Sequence, residues 1–543
     1  MHDSFATVWE AIADSVPDAP AVVQRTERGV RRASWGELED HAARLAGGLA
    51  ERGVGPGTHV ALFLHNAPEY TECFLACSKL RARSANVNFR YEASELVALL
   101  ENADAEVLVY HRALADRVAA VRDSLPLLRV LVEVDDGSAV PSVPGALGYD
   151  ELVSTAAPQP RADRSGDDLL LWYTGGTTGL PKGVLWRQGT LLEYGAVYAA
   201  DLIGRPIPVS AADAAACARE LHASATPPVA LLTTPLVHAT AAYQMMVWLS
   251  VGGTIALLPR GRVDGDDVCA TIQRERVTLL SIVGDVVLRR IVAALERAEE
   301  RGEPYDVTSL RRVHNSGAMV SAELKDAFLG RGTMSFYDSL GSSEAVGFGL
   351  ALTASPGEHT TARFRLGPRA RILTPEGRDV RAGSDEAGVL AVAHSTAVGY
   401  YKDPARSATT FPVIDGTQYA IPGDWALLHA DGTITLLGRG SGCINTGGEK
   451  VWPEEVEEVL KTHPAVTDAI VVGVPDTEWG ETVGAVVSLR AGDGPAPTGE
   501  HLSAWVGSRL ASYKRPRRVA IVDEVRRTTV GKADYDWARA SLS

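Results

Sequence analysis

The sequence is sparing with several residue types, and each scarcity closes a route. Only five cysteines occur in 543 residues: Cys73, Cys77, Cys217, Cys269 and Cys443. An odd, scattered set in a chain of this size is no disulfide framework. Cys73 and Cys77 lie four apart on an expected helix and share a face, but no second pair or histidine cluster completes a metal site. They read as apolar packing residues. No run of eighteen uncharged apolar residues is present, and Met1-His-Asp-Ser-Phe5 lacks a basic-then-apolar leader pattern. No membrane span is therefore expected, and a cytoplasmic location is the default. Positive charge is also short, with 53 Lys+Arg against 68 Asp+Glu and a net charge of −15. That balance argues against nucleic acid as a bulk partner. An anionic ligand would have to be held by local groups and not by the overall field.

What is present describes a globular enzyme-sized chain. The apolar fraction is 45% and the charged fraction 22%, as in soluble proteins, and the length calls for two or more domains. Ser34 and Glu37 form a capping box ahead of the helical stripe Leu38, Ala42, Leu45 and Leu49. Residues 60–64, 107–110 and 130–134 read as buried strands and 67–80 as a helix, so strand–helix alternation predicts mostly parallel sheets. The segment 204–228, with Pro206, Pro208, Pro227 and Pro228, reads as an irregular surface insertion. At Gly438-Arg-Gly-Ser-Gly442 the texture turns flexible. Beyond it Pro453 opens a helix whose Val456, Val459 and Leu460 make one face, and 469–474 and 483–487 read as strands. The expected class is α/β: a large multi-subdomain N-terminal domain at 1–438, a hinge at 439–442, and a small mobile α+β lid at 443–543.

The richest local signal is Tyr173-Thr-Gly-Gly-Thr-Thr-Gly-Leu-Pro-Lys-Gly183. Gly175, Gly176 and Gly179 let backbone N–H groups approach anionic oxygens, Thr174, Thr177 and Thr178 add hydroxyl donors, and Lys182 adds charge. Apolar runs on either side, 169–172 and 184–186, read as strands that would fix the loop's ends. It is not a Walker A loop, because Lys182 stands between Pro181 and Gly183.

Further segments follow in a fixed order: Ser316-Gly-Ala318, Asp338-Ser-Leu-Gly-Ser-Ser-Glu344, Tyr419-Ala-Ile-Pro-Gly-Asp424, Gly438-Arg439, Asn445-Thr-Gly-Gly-Glu-Lys450 and Thr528-Thr-Val-Gly-Lys532. Taken with the loop, they resemble the adenylate-forming superfamily of acyl-CoA synthetases, firefly luciferase and peptide-synthetase adenylation domains. The resemblance runs from about residue 5 to 540 and is closest to the actinobacterial fatty-acyl-CoA synthetase branch.

The chemistry that this resemblance implies is a response to a poor electrophile. A carboxylate would have to expel oxide; joined to the α-phosphate of ATP it can instead expel AMP. Triphosphate, cation and acid must be held in line for that transfer. By the resemblance, Thr174 to Gly179 and Lys182 take the β- and γ-phosphates, and Glu344 binds Mg2+, a hard ion suited to carboxylate and phosphate oxygens. Ser343 stands where threonine is usual and keeps a hydroxyl for the α-phosphate, while Leu340 replaces the usual aromatic residue. Ser316, Gly317 and Ala318 line the adenine, and Asp338, Ser339, Gly341 and Ser342 complete that wall. Asp424 takes both ribose hydroxyls, which suits an acceptor-only carboxylate, and Arg439 approaches ribose and phosphate. Lys532 bridges the acid and the α-phosphate from the lid. His238 gates the acyl pocket, and the methyl groups of Ala239, Ala241 and Ala242 would narrow it in favour of a compact acid. Gly447 and Gly448 line a thiol tunnel with Glu449 and Lys450 beside it. Ser441 stands where the family carries a charged pivot, between flexible glycines.

The implied reaction makes an acyl-adenylate and pyrophosphate from a small-molecule acid, then passes the acyl group to CoA. A carrier-protein thiol is an alternative acceptor. A second alternative is a diazotase-type relative that activates nitrite for attack by an aryl amine. The oligomeric state is left open, a dimer included.

Overall fold

The computed structural model describes residues 3–26, 29–174, 182–203, 208, 210–259, 263–357, 363–439, 444–446, 449–476, 480–490, 495–510, 512–527 and 533–542, with no side chain described at 196–203, 439, 445, 449, 450 or 480. Among these residues the strands form three sheets. In one, Leu169–Thr174, Arg83–Asn86, His59–Phe63, Val107–His111, Val130–Val134 and Leu147–Gly148 lie side by side in parallel. In the second, parallel neighbours run Pro20–Thr26, Thr254–Leu257, Val229–Leu232, Leu279–Ile282, Arg312–Ser316 and Ser335–Leu340. From Gly349–Thr353 onward that sheet continues antiparallel, through Arg363–Leu366 and Thr433–Arg439 to Asp424–Leu428. The sheets are thus mixed, parallel where helices cross over and antiparallel where short turns join the strands.

The largest apolar core lies between the two big sheets, where Leu62, Val109, Val132 and Trp172 of one meet Ala230, Leu232, Ile255 and Leu279 of the other. The Phe5–Ser15, Trp35–Ala50, Pro68–Lys79 and Ala239–Ser250 helices share it, with Trp9, Trp35, Tyr70 and Trp248 almost wholly buried. The expected capping box on Trp35–Ala50 is present, with both reciprocal bonds formed. Cys73 and Cys77 pack in this core, where burial raises the Cys73 thiol and pushes the Cys77 thiol up to about 12. The outer face of the second sheet carries a separate core against Gly265–Glu275, Gly284–Glu300 and Ala322–Leu329. Period-two alternation explains the division: Val313 and Phe336 face outward into that core, and His314 and Tyr337 face the other way.

One expectation fails here. Within 204–228 the chain forms a helix, Ala211–His222, capped by Ser210. Its Ala214, Cys217, Ala218 and Leu221 are buried, and Ser15 donates to the Ala215 carbonyl at 3.2 Å. Small alanines allow close packing on the Phe5–Ser15 helix, which a reading by flanking prolines obscures. Among the described residues no helix is long and apolar enough to cross a membrane.

The C-terminal unit is built on one long hairpin, Val466–Asp476 with Gly480–Leu489, flanked by Pro453–Lys461, Gly499–Gly507 and Tyr535–Ser541. It leans on the larger unit through Trp452 and Trp425, whose rings are 5.6 Å apart, and through Arg490, which holds Glu323 at 2.9 Å. Gly438 has φ +100°, and a Cβ there would collide with the Glu454 carboxyl. Among the described residues Glu454 Oε2 is buried without a hydrogen-bond partner. Burial, and then repulsion from Glu457 and Asp424, pushes this carboxyl up to about 8. The folded protein therefore keeps a proton that the unfolded chain releases near 4.5, so this group's contribution to stability falls as pH rises from about 4.5 to about 8. Glu454→Gln should flatten that slope in thermal melts across the same window. Identical slopes in both proteins would mean that the carboxyl is ionised in place.

Candidate active site

Ligands of α/β sheets settle outside the carboxyl ends of parallel strands, where the backbone runs out of ladder partners. The glycine–threonine run leaves such an end. It joins Leu169–Thr174 to the antiparallel Lys182–Arg187, with Tyr173 opposite Gly183 and Thr174 opposite Lys182. The ends of the run are thereby held side by side. Gly175, Gly176, Thr177, Thr178 and Gly179 lie outside the described residues. Gly183 is closely approached, since a Cβ would sit 2.8 Å from the Leu171 side chain and 3.0 Å from the Tyr173 ring, so these side chains would have to shift to admit one. That ring is buried, and its hydroxyl donates to Asn102 at 2.6 Å.

Two asparagines fix the surrounding loops. Asn86, the last residue of its strand, accepts from Tyr173 N at 2.6 Å and donates to Tyr173 O at 2.8 Å and Val237 O at 2.6 Å. One buried amide thus ties the root of the glycine–threonine run to the residue before His238. Asn66 accepts from Leu236 N at 2.7 Å and donates to Thr234 O at 3.1 Å, holding the same loop from its other side. His238 is the N-cap residue of Ala239–Ser250. Ala241 and Ala242 are fully buried in the main core, so only the half-buried Ala239 could narrow a channel. Neither asparagine carries a motif, and sequence reasoning passed over both.

Glu344 is 9% exposed and accepts a 2.7 Å hydrogen bond from the Tyr400 hydroxyl. Tyr400 pairs opposite Val184 on the strand leaving the glycine–threonine run. Trp186 of that strand donates to Ser343 O at 2.9 Å, and Ala397 N donates to Glu344 O at 2.9 Å. Ser342 Oγ accepts from the N–H groups of Glu344 and Ala345, both at 3.2 Å, and shapes the turn. A single buried carboxylate is therefore pinned beside the loop. Among the described residues no group of three or more histidines, cysteines or acids could enclose a metal ion. This donor set suits magnesium, which takes one or two carboxylates and completes its shell with phosphate and water.

Ser316 and Ser339 face each other across parallel strands, as do Asn315 and Asp338. Ser316 Oγ donates to Ser339 O at 3.2 Å, and His314 Nε2 lies 2.8 Å from Ser339 Oγ. Burial drives His314 down to about 3, so it is neutral at working pH. Gly317 turns the chain with φ +85°, and Ala318 packs against Gly284, where an added Cβ would come within 2.8 Å. Leu340 is half-buried against the main core, ahead of Gly341 at the turn. Asp338 departs from its expected role. Alternation turns its carboxylate to the outer face, onto Lys325 Nζ at 2.6 Å and Asn315 Nδ2 at 2.8 Å, instead of beside Ser339.

Asp424 stands directly opposite Arg439 in the Asp424–Leu428 and Thr433–Arg439 pair, after Gly423 at φ +98°. The Arg439 side chain, Gly447, Gly448 and Lys532 lie outside what is described. The geometry thus gathers Thr174 with Lys182, Ser343 and Glu344 with the loop's exit strand, Ser316–Ala318 with Ser339–Gly341, and Asp424 with Arg439.

Comparison with known proteins shows the family. Residues 9–401 match the AMP-binding enzyme family and 455–532 the AMP-binding enzyme C-terminal domain. A 3-oxocholest-4-en-26-oate–CoA ligase of Rhodococcus rhodochrous is 37% identical, over 99% of this chain and 96% of its own length. A medium/long-chain-fatty-acid–CoA/3-oxocholest-4-en-26-oate–CoA ligase of Mycolicibacterium smegmatis is 38% identical over the same shares. The crystal structure of the anthranilate CoA ligase AuaEII with anthranoyl-AMP superposes with a TM-score of 0.83 at 21% identity, covering 99% of this chain and 97% of that one. The chain belongs to the AMP-binding enzyme family: it is an AMP-forming ligase that uses ATP and magnesium to convert a carboxylic acid into its acyl-adenylate.

Proposed function

We propose that the chain is an acid–CoA ligase for a hydrophobic carboxylic acid. A carboxylate oxygen attacks the α-phosphorus of ATP; the new O–P bond forms as the bond to the β-phosphate oxygen breaks, and pyrophosphate leaves. The sulfur of CoA then attacks the acyl carbon, giving up its proton, and AMP departs with the anhydride oxygen. Thr174, the glycine–threonine run and Lys182 take the β- and γ-phosphates. Glu344, held by Tyr400, carries the magnesium, whose charge offsets that of the triphosphate. Ser316 to Ala318, with Ser339 to Ser343, receive the adenine and α-phosphate, and Asp424 takes the ribose with Arg439 at its side. His238 stands at the acyl entrance, and Lys532 reaches in from a lid, 443–543, that turns on the hinge 439–442.

The single observation that carries this reading is the pinning of Glu344 to the strand leaving the glycine–threonine run, through Tyr400 and Trp186. It supports the reading of Glu344 as the cation-binding group, since it ties that carboxylate to the strand at the end of the proposed phosphate loop. The acid class is supported by the relatives named above, both named as ligases of 3-oxocholest-4-en-26-oate to CoA and one also as a ligase of medium- and long-chain fatty acids. With Ala241 and Ala242 in the core, the argument for a compact acid rests on Ala239 alone. A carrier-protein thiol is the other acceptor that the same chemistry allows.

Pyrophosphate release should be measured with ATP and a panel of fatty, steroid and aryl acids, each with and without CoA. Sustained turnover that requires CoA and yields AMP is expected. Turnover with nitrite and an aryl amine, without CoA, would overturn the ligase assignment. Glu344→Gln should lower adenylation about 100-fold, and Tyr400→Phe should raise the magnesium needed for half-maximal rate. Lys532→Ala should block adenylate formation yet leave thioester formation from a supplied acyl-adenylate; equal loss in both steps would count against a lid that acts in only one.

A further inference from the structure

A carboxylate accepts hydrogen bonds and cannot donate them, so it dictates the orientation of any amide turned toward it. Asp338 Oδ1 faces Asn315 at 2.8 Å and so selects the amide nitrogen. With Nδ2 fixed there and on Ala318 O at 2.9 Å, Asn315 Oδ1 is left to accept the Gly284 N–H at 2.8 Å. The other Asp338 oxygen is held by Lys325 Nζ at 2.6 Å, and the side chains of this pair are 5% and 6% exposed. Lys325 lies on Ala322–Leu329, the helix that follows the 317–321 turn. Three adjacent parallel strands end at this point, and the network crosses them in order: Gly284 after the first, Asn315 on the second, Asp338 on the third. Gly284 at φ +63° and Gly317 at φ +85° make tight turns that the amide then locks together.

We propose that Lys325 and Asp338 act as positioning residues for nucleotide binding, setting the orientation of Asn315 and through it the backbone of the Ser316–Gly317–Ala318 turn. The proposal rests on the assignment of that turn to the adenine. Neither residue touches the nucleotide. A buried ion pair of this kind contributes little net stability against an apolar pair of similar volume, whereas removing one partner strands a charge. That difference separates positioning from simple support.

The test uses the full chain and four variants: Lys325→Met, the double variant Lys325→Met with Asp338→Leu, Asn315→Leu, and Gly317→Val, which alters the turn itself. Each is examined by thermal melting and by pyrophosphate release at saturating acid and magnesium. Lys325→Met should melt lower, and the double variant should recover most of that loss. The double variant and Asn315→Leu should both keep a KM for ATP raised about 10-fold or more, with kcat changed far less. A double variant or Asn315→Leu with the parent KM would overturn the proposal. If Gly317→Val raises the KM and those two do not, the network alone is at fault. If Gly317→Val leaves the KM unchanged, the assignment of the turn has failed.

Discussion

Polar backbone at the carboxyl ends of parallel strands has no ladder to join, yet it must stay rigid enough to receive a ligand. In this protein the requirement is met by asparagine amides, buried at Asn86 and Asn315 and half-buried at Asn66. Asn66 and Asn86 hold the loop before His238, and Asn86 also holds the strand that enters the glycine–threonine run. Asn315 does the same work in the second sheet, on the turn after Ser316. An amide suits this role because it offers donor and acceptor together, so one side chain can complete the N–H of one segment and the C=O of another. The rest of the site, from Thr174 to Ser339, stands on loops fixed in this way.

The second principle at work is alternation along the strands. Ser335–Leu340 sends Ser339 inward to Ser316 and His314, and Asp338 outward to Lys325. On the inner face His314, desolvated and far below its ordinary pKa, stays uncharged, and the Arg312 guanidinium lies over the Tyr337 ring. On the outer face the charges of Lys325 and Asp338 are paired. Glu344, beyond the strand's end, is a buried carboxylate held by Tyr400.

Much of this was legible in the sequence because some signals are local. The Ser34–Glu37 capping box, the helix opened by Pro453 and the hairpin strands at 469–474 and 483–487 all stand where periodicity puts them. The strands on either side of the glycine–threonine run are present but longer than expected, with Thr174 and Lys182 paired at their ends, and Asp424 and Arg439 are brought opposite each other. What escaped depends on tertiary partners. Asn66 and Asn86 are unremarkable in sequence and gain meaning only when two sheets meet. Tyr400 sits 56 positions from the carboxylate it orients. Asp338 shares a run with the proposed site residues, and only the strand's pleat sends it to the opposite face. The helix at Ala211–His222 was hidden because its alanines matter through close packing against a distant helix.

The central claim is that a nucleotide sits across the carboxyl ends of the two sheets, between the glycine–threonine run and the 316–318 turn. A crystal structure of the protein with magnesium and a non-hydrolysable ATP analogue tests it directly. The account predicts adenine against Ser316–Ala318, ribose hydroxyls on Asp424, and the metal bridging Glu344 and phosphate. A nucleotide bound elsewhere, or a metal held without Glu344, would contradict it.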